Sequence, residues 1–139
     1  KQDLLLPLLV VLFKFAEANE AALDEMRDTV CGASSLLPDL RAEDFASKEE
    51  FDHAREQRHF KGHAKDGTTL FFLVRLLTTF EEHVKRYAGE LLWLLCEENP
   101  DVVNHHCGFG NAAHMLAIKG GMIGQIIAQQ EARQRAQGA

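Results

Sequence analysis

Residues 4–16 are apolar on nearly every face of a helical wheel, broken only by Pro7 and Lys14. That distribution predicts a helix buried on more than one side. Pro7 falls in the first turns, where a missing N–H costs least. Asn19 stands before Glu20, Ala21, Ala22 and Met26, which predicts a second helix from Glu20, capped by the Asn19 side chain, with acids in its first turn and Gly32 and Pro38 ending it. Residues 31–67 are polar and carry the breakers Ser34, Ser35, Pro38, Gly62 and Gly67. Within them Ser47 and Glu50 form a capping box for a short exposed helix over 47–60, and the rest reads as loop.

The pattern changes after Gly67. Thr68 or Thr69 caps a helix over 70–78, and in the next, 81–97, Val84, Ala88, Leu91, Leu92 and Leu95 share one stripe. Asn99-Pro100 stops that helix, and residues 100–106 form a short one. Gly108 and Gly110 predict a tight turn between helices, requiring positive φ or close backbone approach. Asn111 then caps a helix through Ile118, Gly120-Gly121 break the chain, and residues 122–134 form a last helix whose polar end frays into a tail at about 125–139.

A weak repeat runs through this pattern. Leu8-Leu9-Val10-Val11-Leu12, a turn and a helix from Glu20 share their plan with Leu73-Val74-Arg75-Leu76-Leu77, a turn and a helix from Glu81. The fold class is therefore all-α, and the repeated hairpins suggest an armadillo/HEAT-like helical solenoid fragment, in which each unit needs neighbours to bury its apolar faces. The expected organisation is a single repeat segment over 1–139 with a polar insert at about 31–67. Composition agrees: nine Phe and many Leu, but one Tyr, one Trp and three Pro, favour helix over strand.

Charge and cysteine usage narrow the chemistry. A net charge of -6 does not support a general grip on phosphate backbones, so no nucleic acid partner is expected. Three Cys at wide spacing (Cys31, Cys96, Cys107) fit reduced thiols in a cytoplasmic protein better than a secreted disulfide framework. The apolar run of residues 4–13 is shorter than the ~20 residues of a membrane span, so no integral membrane segment is expected. A chain beginning at Lys1 without Met reads as a piece of a longer protein, its first helix packing on a preceding neighbour.

Gly108-Phe109-Gly110-Asn111-Ala112-Ala113 matches the G-x-G-x-x-A dinucleotide fingerprint, with Glu131 downstream. The fingerprint needs a preceding strand, and Asn104-His105-His106-Cys107 is poor strand material. Seven His raise a metal site, since His105, His106, Cys107 and His114 cluster locally and His59 stands four residues from His63. Yet there is no Cys-x-x-Cys or His-Glu-x-x-His, and neighbouring His105 and His106 point apart on a helix. These read as surface or turn histidines, with Cys96 and Cys107 as buried thiols. Ser34 and Ser35 lack a nucleophile elbow. No catalytic residue, cofactor or metal is expected, and the chain is not read as an enzyme.

What remains is a surface for binding protein. Arg86, Glu90, Trp93 and Glu97 recur at helical spacing beside the apolar stripe, where a lone Trp between Arg and Glu has the character of a hot spot. The bland alternative is that Trp93 packs and the charges are solvated. Arg75 is the only charge within residues 70–77, which calls for a carboxylate partner, either internal or on a ligand chain.

Three blocks carry a resemblance to a known family: Val84-Lys85-Arg86-x-Ala88-x-Glu90-Leu91, Leu95-Cys96-Glu97-Glu98-Asn99, and residues 108–117 with Gly120. With Leu73-Val74-Arg75-Leu76 and the opening Leu5-x-Pro7-Leu8 in the same order, the chain resembles the last armadillo-type repeats of the synembryn family. The resemblance implies a chaperone and guanine-nucleotide exchange factor for heterotrimeric G-protein α subunits, gripping the Gα C-terminal helix in a concave groove and loosening GDP by differential binding. It further implies Arg75, Arg86 and Glu90 as groove residues, with Trp93 where an aromatic would be similar, and a cytoplasmic location reaching the cell cortex through its partner. Two departures stand out. The insert is long and polar, and a basic, Gln-rich tail stands where family members carry an acidic segment, so full exchange activity is expected to need more chain.

Overall fold

The computed structural model describes residues 4–138, with side chains left undescribed at 117–130 and 138. Seven α-helices follow one another: α1 (Leu5–Ala18), α2 (Glu20–Cys31), α3 (Lys48–Lys61), α4 (Thr69–Leu76), α5 (Glu82–Leu95), α6 (Pro100–Cys107) and α7 (Phe109–Gly138). Two single 3-10 turns, Ala33–Ser35 and Ala42–Asp44, lie between α2 and α3. Among the described residues the sole extended pairing is an isolated antiparallel bridge between Leu36 and Ala64. The architecture is all-α, as a fragment of a helical solenoid would be.

Helix starts follow local side-chain chemistry. Asn19 accepts from Ala22 N–H at 3.0 Å, Ser47 from Glu50 N–H at 3.2 Å, Thr68 from Phe71 N–H at 3.2 Å and Asn99 from Asp101 N–H at 2.9 Å. Each satisfies one donor that a helix N-terminus leaves unpaired. Of the two threonines after Gly67, Thr68 is the cap, and its hydroxyl also donates to Lys65 O at 2.6 Å.

The core forms around α5, which packs on α1, α4 and α2. Val84, Ala88, Leu91, Leu92 and Leu95 are buried on it, as the stripe predicts, together with Gly89. They meet Leu9 and Ala16 of α1 and Leu70, Leu73, Val74 and Leu76 of α4. Burying such side chains is worth roughly 1.5–3 kcal/mol each. Arg27 closes the α2–α5 contact: its Nε donates to Leu95 O at 3.0 Å and its Nη2 to Leu94 O at 2.8 Å. These carbonyls belong to the last turn of α5, beyond the regular helical ladder, and Leu94 O shares its acceptor capacity with Glu97 N–H at 3.1 Å. The planar fork of a guanidinium reaches both.

A second layer is made by α3, α6 and α7. α3 buries no residue fully. Backbone pairing holds the polar segment in place: His63 N–H donates to His105 O at 2.9 Å, Ala64 N–H to His106 O at 3.2 Å, Leu37 N–H to His63 O at 2.7 Å and Lys65 N–H to Ser35 O at 2.8 Å. This weave is possible because Gly62 and Gly108, which end α3 and α6, touch backbone to backbone. Both have positive φ, 85° and 86°. A Cβ on Gly108 would collide with Phe60 O, Lys61 C and Gly62 N, and one on Gly62 with Gly108 N and Cys107 C.

Several expectations are corrected. The glycine turn rests on Gly108 alone; Gly110 lies inside α7 with the Phe60 ring where its Cβ would stand. Asn111 is no cap but a residue of the first turn, its amide donating to Cys107 O at 3.0 Å. The backbone does not break at Gly120-Gly121: α7 runs through them to Gly138, its helical ladder outweighing a propensity cost of about 1 kcal/mol per glycine. The expected break and start at 120–122 are overturned, while the side chains there lie outside the described residues. α5 ends at Leu95, short of Glu97, because Glu97 and Glu98 turn to positive φ (62° and 54°), and Glu98 N–H closes on Trp93 O at 2.9 Å. Finally α1 is covered on one side by this chain, through Leu9, Phe13 and Ala16, while Leu4, Leu8, Val11 and Phe15 are exposed.

Two predictions test this frame. Gly108→Ala should cost roughly 3 kcal/mol or more, combining backbone collision with strained φ. Gly67→Ala, at φ 83° with open space around it, should cost only about 1–2 kcal/mol. Urea melts of both variants decide, and equal losses would refute the tight crossing. Arg27→Met should lose about 2 kcal/mol, Arg27→Lys should recover less than half of it, and Asp24→Ala should change stability by under ~0.5 kcal/mol, since its bridge to Arg27 at 3.2 Å is on the surface. Thermal melts that rank Lys equal to Arg would show that the paired carbonyls do not need the fork.

Candidate functional site

α4 turns its buried face to α5 and leaves Phe72 and Arg75 exposed, with Phe71 half-buried. Arg75 lies along Phe71, its guanidinium carbon 6.0 Å from the ring centroid, a cation–π contact. Among the described residues no ion pair involves Arg75, so the internal carboxylate considered for it has no counterpart there. A groove of about 780 Å³ opens along the helix, lined by Phe71, Phe72, Arg75, Thr79 and Phe80. A second, of about 450 Å³, lies between Phe60, Lys61, Phe71, Arg75 and Gly110. Phe71, Arg75 and Thr78 line both. Phe60, Phe72 and Phe80 are exposed by 58%, 51% and 101%, an unusual density of aromatic surface. The charges lining these two cavities are Arg75 and Lys61, both cationic on a chain of net charge -6.

The other three predicted residues sit on α5. Arg86 is exposed, 6.0 Å from the centroid of the Tyr87 ring, which meets Phe13 of α1 edge-on at 5.9 Å. Glu90 and Trp93 are half-buried, and Trp93 packs against the core. Arg86, Glu90 and Trp93 line neither cavity of α4. The spacing of residues 86, 90 and 93 makes one stripe, and Arg75 belongs to a different feature.

The histidines are rearranged relative to expectation. His63, distant in sequence, stacks on His105 with ring centroids 3.9 Å apart and planes at 13°. Its Nδ1 lies 2.9 Å from His105 O, which can only accept, so that nitrogen carries the proton. Burial, then the neighbouring His63 charge, push the His105 pKa below its ordinary value. His59 stacks on Phe109 at 5.6 Å. His106 is no surface or turn histidine: it is buried at 9% exposure, and its Nδ1 lies 2.9 Å from Val102 O. Burial disfavours its charge, yet the Cys31 sulfur and the Val102 carbonyl leave its pKa raised. Among the described residues no three His, Cys, Asp or Glu side chains are arranged to hold a metal ion.

Sequence reasoning missed how the thiols gather. Cys31 lies near Cys96 and His106, and Cys96 near Cys107. The thiol hydrogen bond to Cys96, then burial, push the Cys31 pKa well above the ordinary thiol value, against the pull of His106. Cys96 is pushed up chiefly by Cys107. The available signal was the repeated plan itself: Cys31 ends the second helix of the first hairpin and Cys96 the second helix of the next.

No helix is long and apolar enough to cross a membrane among the described residues. The G-x-G-x-x-A run follows a helix rather than a strand, which removes the geometry of dinucleotide binding.

Comparison with known proteins gives the following. The chain is 46% identical over 52 residues to the mouse (Mus musculus) protein named Chaperone Ric-8A, covering 37% of this chain and 10% of the relative. Mouse Chaperone Ric-8B is 44% identical over the same length and shares, and Xenopus laevis Chaperone Ric-8A is 41% identical over 68 residues, 48% of this chain and 13% of the relative. The match thus spans only about a tenth of these relatives. No solved structure matches. The family model described as guanine nucleotide exchange factor synembryn, Ric8, matches residues 1–138, and the chain belongs to that family.

Proposed function

We propose that the chain supplies part of the Gα-binding surface of a chaperone and guanine-nucleotide exchange factor for heterotrimeric G-protein α subunits, and that it acts by binding the Gα C-terminal helix. The observation that carries this reading is the family match over residues 1–138. Arg75, Arg86, Glu90 and Trp93 are the contact residues, and the helical hairpins take the role of armadillo-like units.

Physical features of the surface support the reading. A helix C-terminus carries a partial negative charge and, at a chain end, a carboxylate. Arg75 and Lys61 offer cations beside exposed aromatic rings, a combination suited to an amphipathic helix end. Arg86 on α5 adds a third cation, with Trp93 as an anchored aromatic. Exchange then follows from energetics: a partner that binds the released helix better than the docked one shifts the Gα population toward the open form, in proportion to the differential affinity.

The test is binding of this chain to a peptide copying a Gα C-terminal helix, by fluorescence anisotropy. Arg75→Ala and Arg86→Ala should each weaken binding about 5- to 30-fold, corresponding to roughly 1–2 kcal/mol. Glu90→Ala and Trp93→Ala should weaken it as well, read together with a melt because both side chains are half-buried. Glu43→Ala, on the exposed 3-10 turn, is the control. Binding that ignores Arg75 and Arg86 would remove the proposed contact residues. Tight binding of unrelated amphipathic helices with equal affinity would instead identify a general protein-interaction scaffold.

A further inference from the structure

The glycine crossing carries three imidazoles in contact. His63 follows Gly62, and its ring stacks on that of His105 with centroids 3.9 Å apart and planes at 13°. The His106 ring meets His105 edge-on at 5.5 Å. His63 cannot swing away from the stack while the crossing is closed. Its backbone N–H and its Nδ1 both reach His105 O at 2.9 Å, and its own carbonyl accepts from Leu37 N–H at 2.7 Å. A carbonyl only accepts, so His63 Nδ1 already holds a proton and a further one enters at Nε2. The charged and titratable groups acting on His105 are His63 and Asp39 from the loops on either side of α3, Arg58 of α3, and His106 beside it on α6, with Cys31 near His106 in turn. Asp39, the acid of this set, has its Oδ1 3.9 Å from His63 Nε2 and is almost wholly exposed. Arg58, the cation, is held by its bond to Pro38 O at 2.8 Å. One proton on the stacked pair can be balanced by Asp39, but two parallel imidazolium rings at this separation repel, and no second acid stands in the set.

We propose that the His63–His105 stack is a pH-sensitive latch on the crossing of α3 and α6. With at most one added proton the pair keeps the crossing closed; a second opens it and frees α3 with its flanking loops, while the layer around α5 stays folded. Burial explains why the opening is local. α3 has no fully buried side chain, and the bonds that break are those of Leu37, His63 and Ala64. The buried stripe of α5, Val84 to Leu95, contains no titratable group. Opening lifts Phe60 from Gly110 and carries Lys61 away from Arg75, removing one wall of the smaller groove. The direction of the pH effect follows from His105. Burial, then the neighbouring His63 charge, depress its pKa, so the opened chain binds the extra proton more tightly than the closed one. The closed form is therefore fully favoured above the ordinary histidine value, about 6.5, and loses ground as pH falls below it. His106 acts in the opposite sense, because its raised pKa gives a contribution that is present at low pH and lost as pH rises. The latch is for that reason read at the crossing itself rather than in global stability. It concerns the crossing and not the partner, so it stands apart from the Gα reading.

The experiment is native-state hydrogen exchange by NMR on the 139-residue chain, between about pH 7.5 and about pH 5, with each amide corrected for its intrinsic rate. Protection at Leu37, His63 and Ala64 should fall about 10-fold relative to Leu91 and Leu92 of α5, the effect of one proton shifted by one pKa unit. His105→Phe keeps a flat ring and the backbone carbonyl but takes no proton. In that variant the fall should shrink below about 3-fold, with circular dichroism confirming that the helices persist. Titration of the imidazole C–H resonances in the unmodified chain gives a second reading that needs no variant. The stacked pair should take up its two protons in separate steps, about one pH unit or more apart. Two rings that titrate independently would overturn the latch. So would crossing and α5 amides that lose protection in parallel, or a folded His105→Phe chain in which the fall is unchanged.

Discussion

The crossing of Gly62 and Gly108 is the contact on which the second layer depends. Two helix ends approach until their backbones touch, and neither position leaves room for a Cβ. Only at that distance do His63 and Ala64 reach the carbonyls of His105 and His106, and only then does Leu37 reach His63. α3 has no fully buried side chain with which to hold itself in place, so this backbone weave takes over much of the work that apolar burial does elsewhere. The same approach brings Phe60 over Gly110 and thereby forms one wall of the groove beside Arg75.

The first layer is held differently. α5 is apolar along its buried stripe, and α1, α2 and α4 pack around it in the ordinary way. Its far end is the exception. Two carbonyls there take both prongs of Arg27, and the next residue, Cys96, enters the thiol cluster. The left-handed turn of Glu97 and Glu98 lies directly beyond, and it redirects the chain so that Asn99 can cap α6. A charged fork, a thiol cluster and two non-glycine residues at positive φ within one short stretch show where tertiary demands override local preference.

What was legible in the sequence was local. Asn19, Ser47 and Thr68 announce helix starts because each cap bonds a backbone N–H only three residues ahead, while Asn99, read only as a stop, also caps α6. The α5 stripe was legible because burial on one helix face has a fixed period. Gly120-Gly121 misled because propensity speaks for each residue alone, whereas the helix ladder continues through both. Asn111 misled for a related reason: a cap residue three positions into a helix can bond backward, here to Cys107 O. The burial of His106 and the meeting of Cys31 with Cys96 had no local signal, since their partners come from other helices. Of the four residues proposed as contacts, spacing placed Arg86, Glu90 and Trp93 on one helix, α5, whereas the relation of Arg75 to Phe60, Lys61 and Gly110 arises from the glycine crossing.

This division bears on how a surface can recognise a helix. Arg75 projects from α4 over an aromatic ring and has no acid competing for it among the described residues, so its charge is available at little reorganisation cost. Trp93 is anchored in the core, which removes the rotamer entropy that a fully exposed indole would lose on binding. An exposed cation beside aromatic surface and a core-anchored aromatic on the neighbouring helix do different jobs. The first tolerates small shifts of an approaching helix end, while the second rewards one orientation. In the proposed function, where a helix is held while the partner rearranges around it, both are used, because recognition has to survive the rearrangement without losing direction.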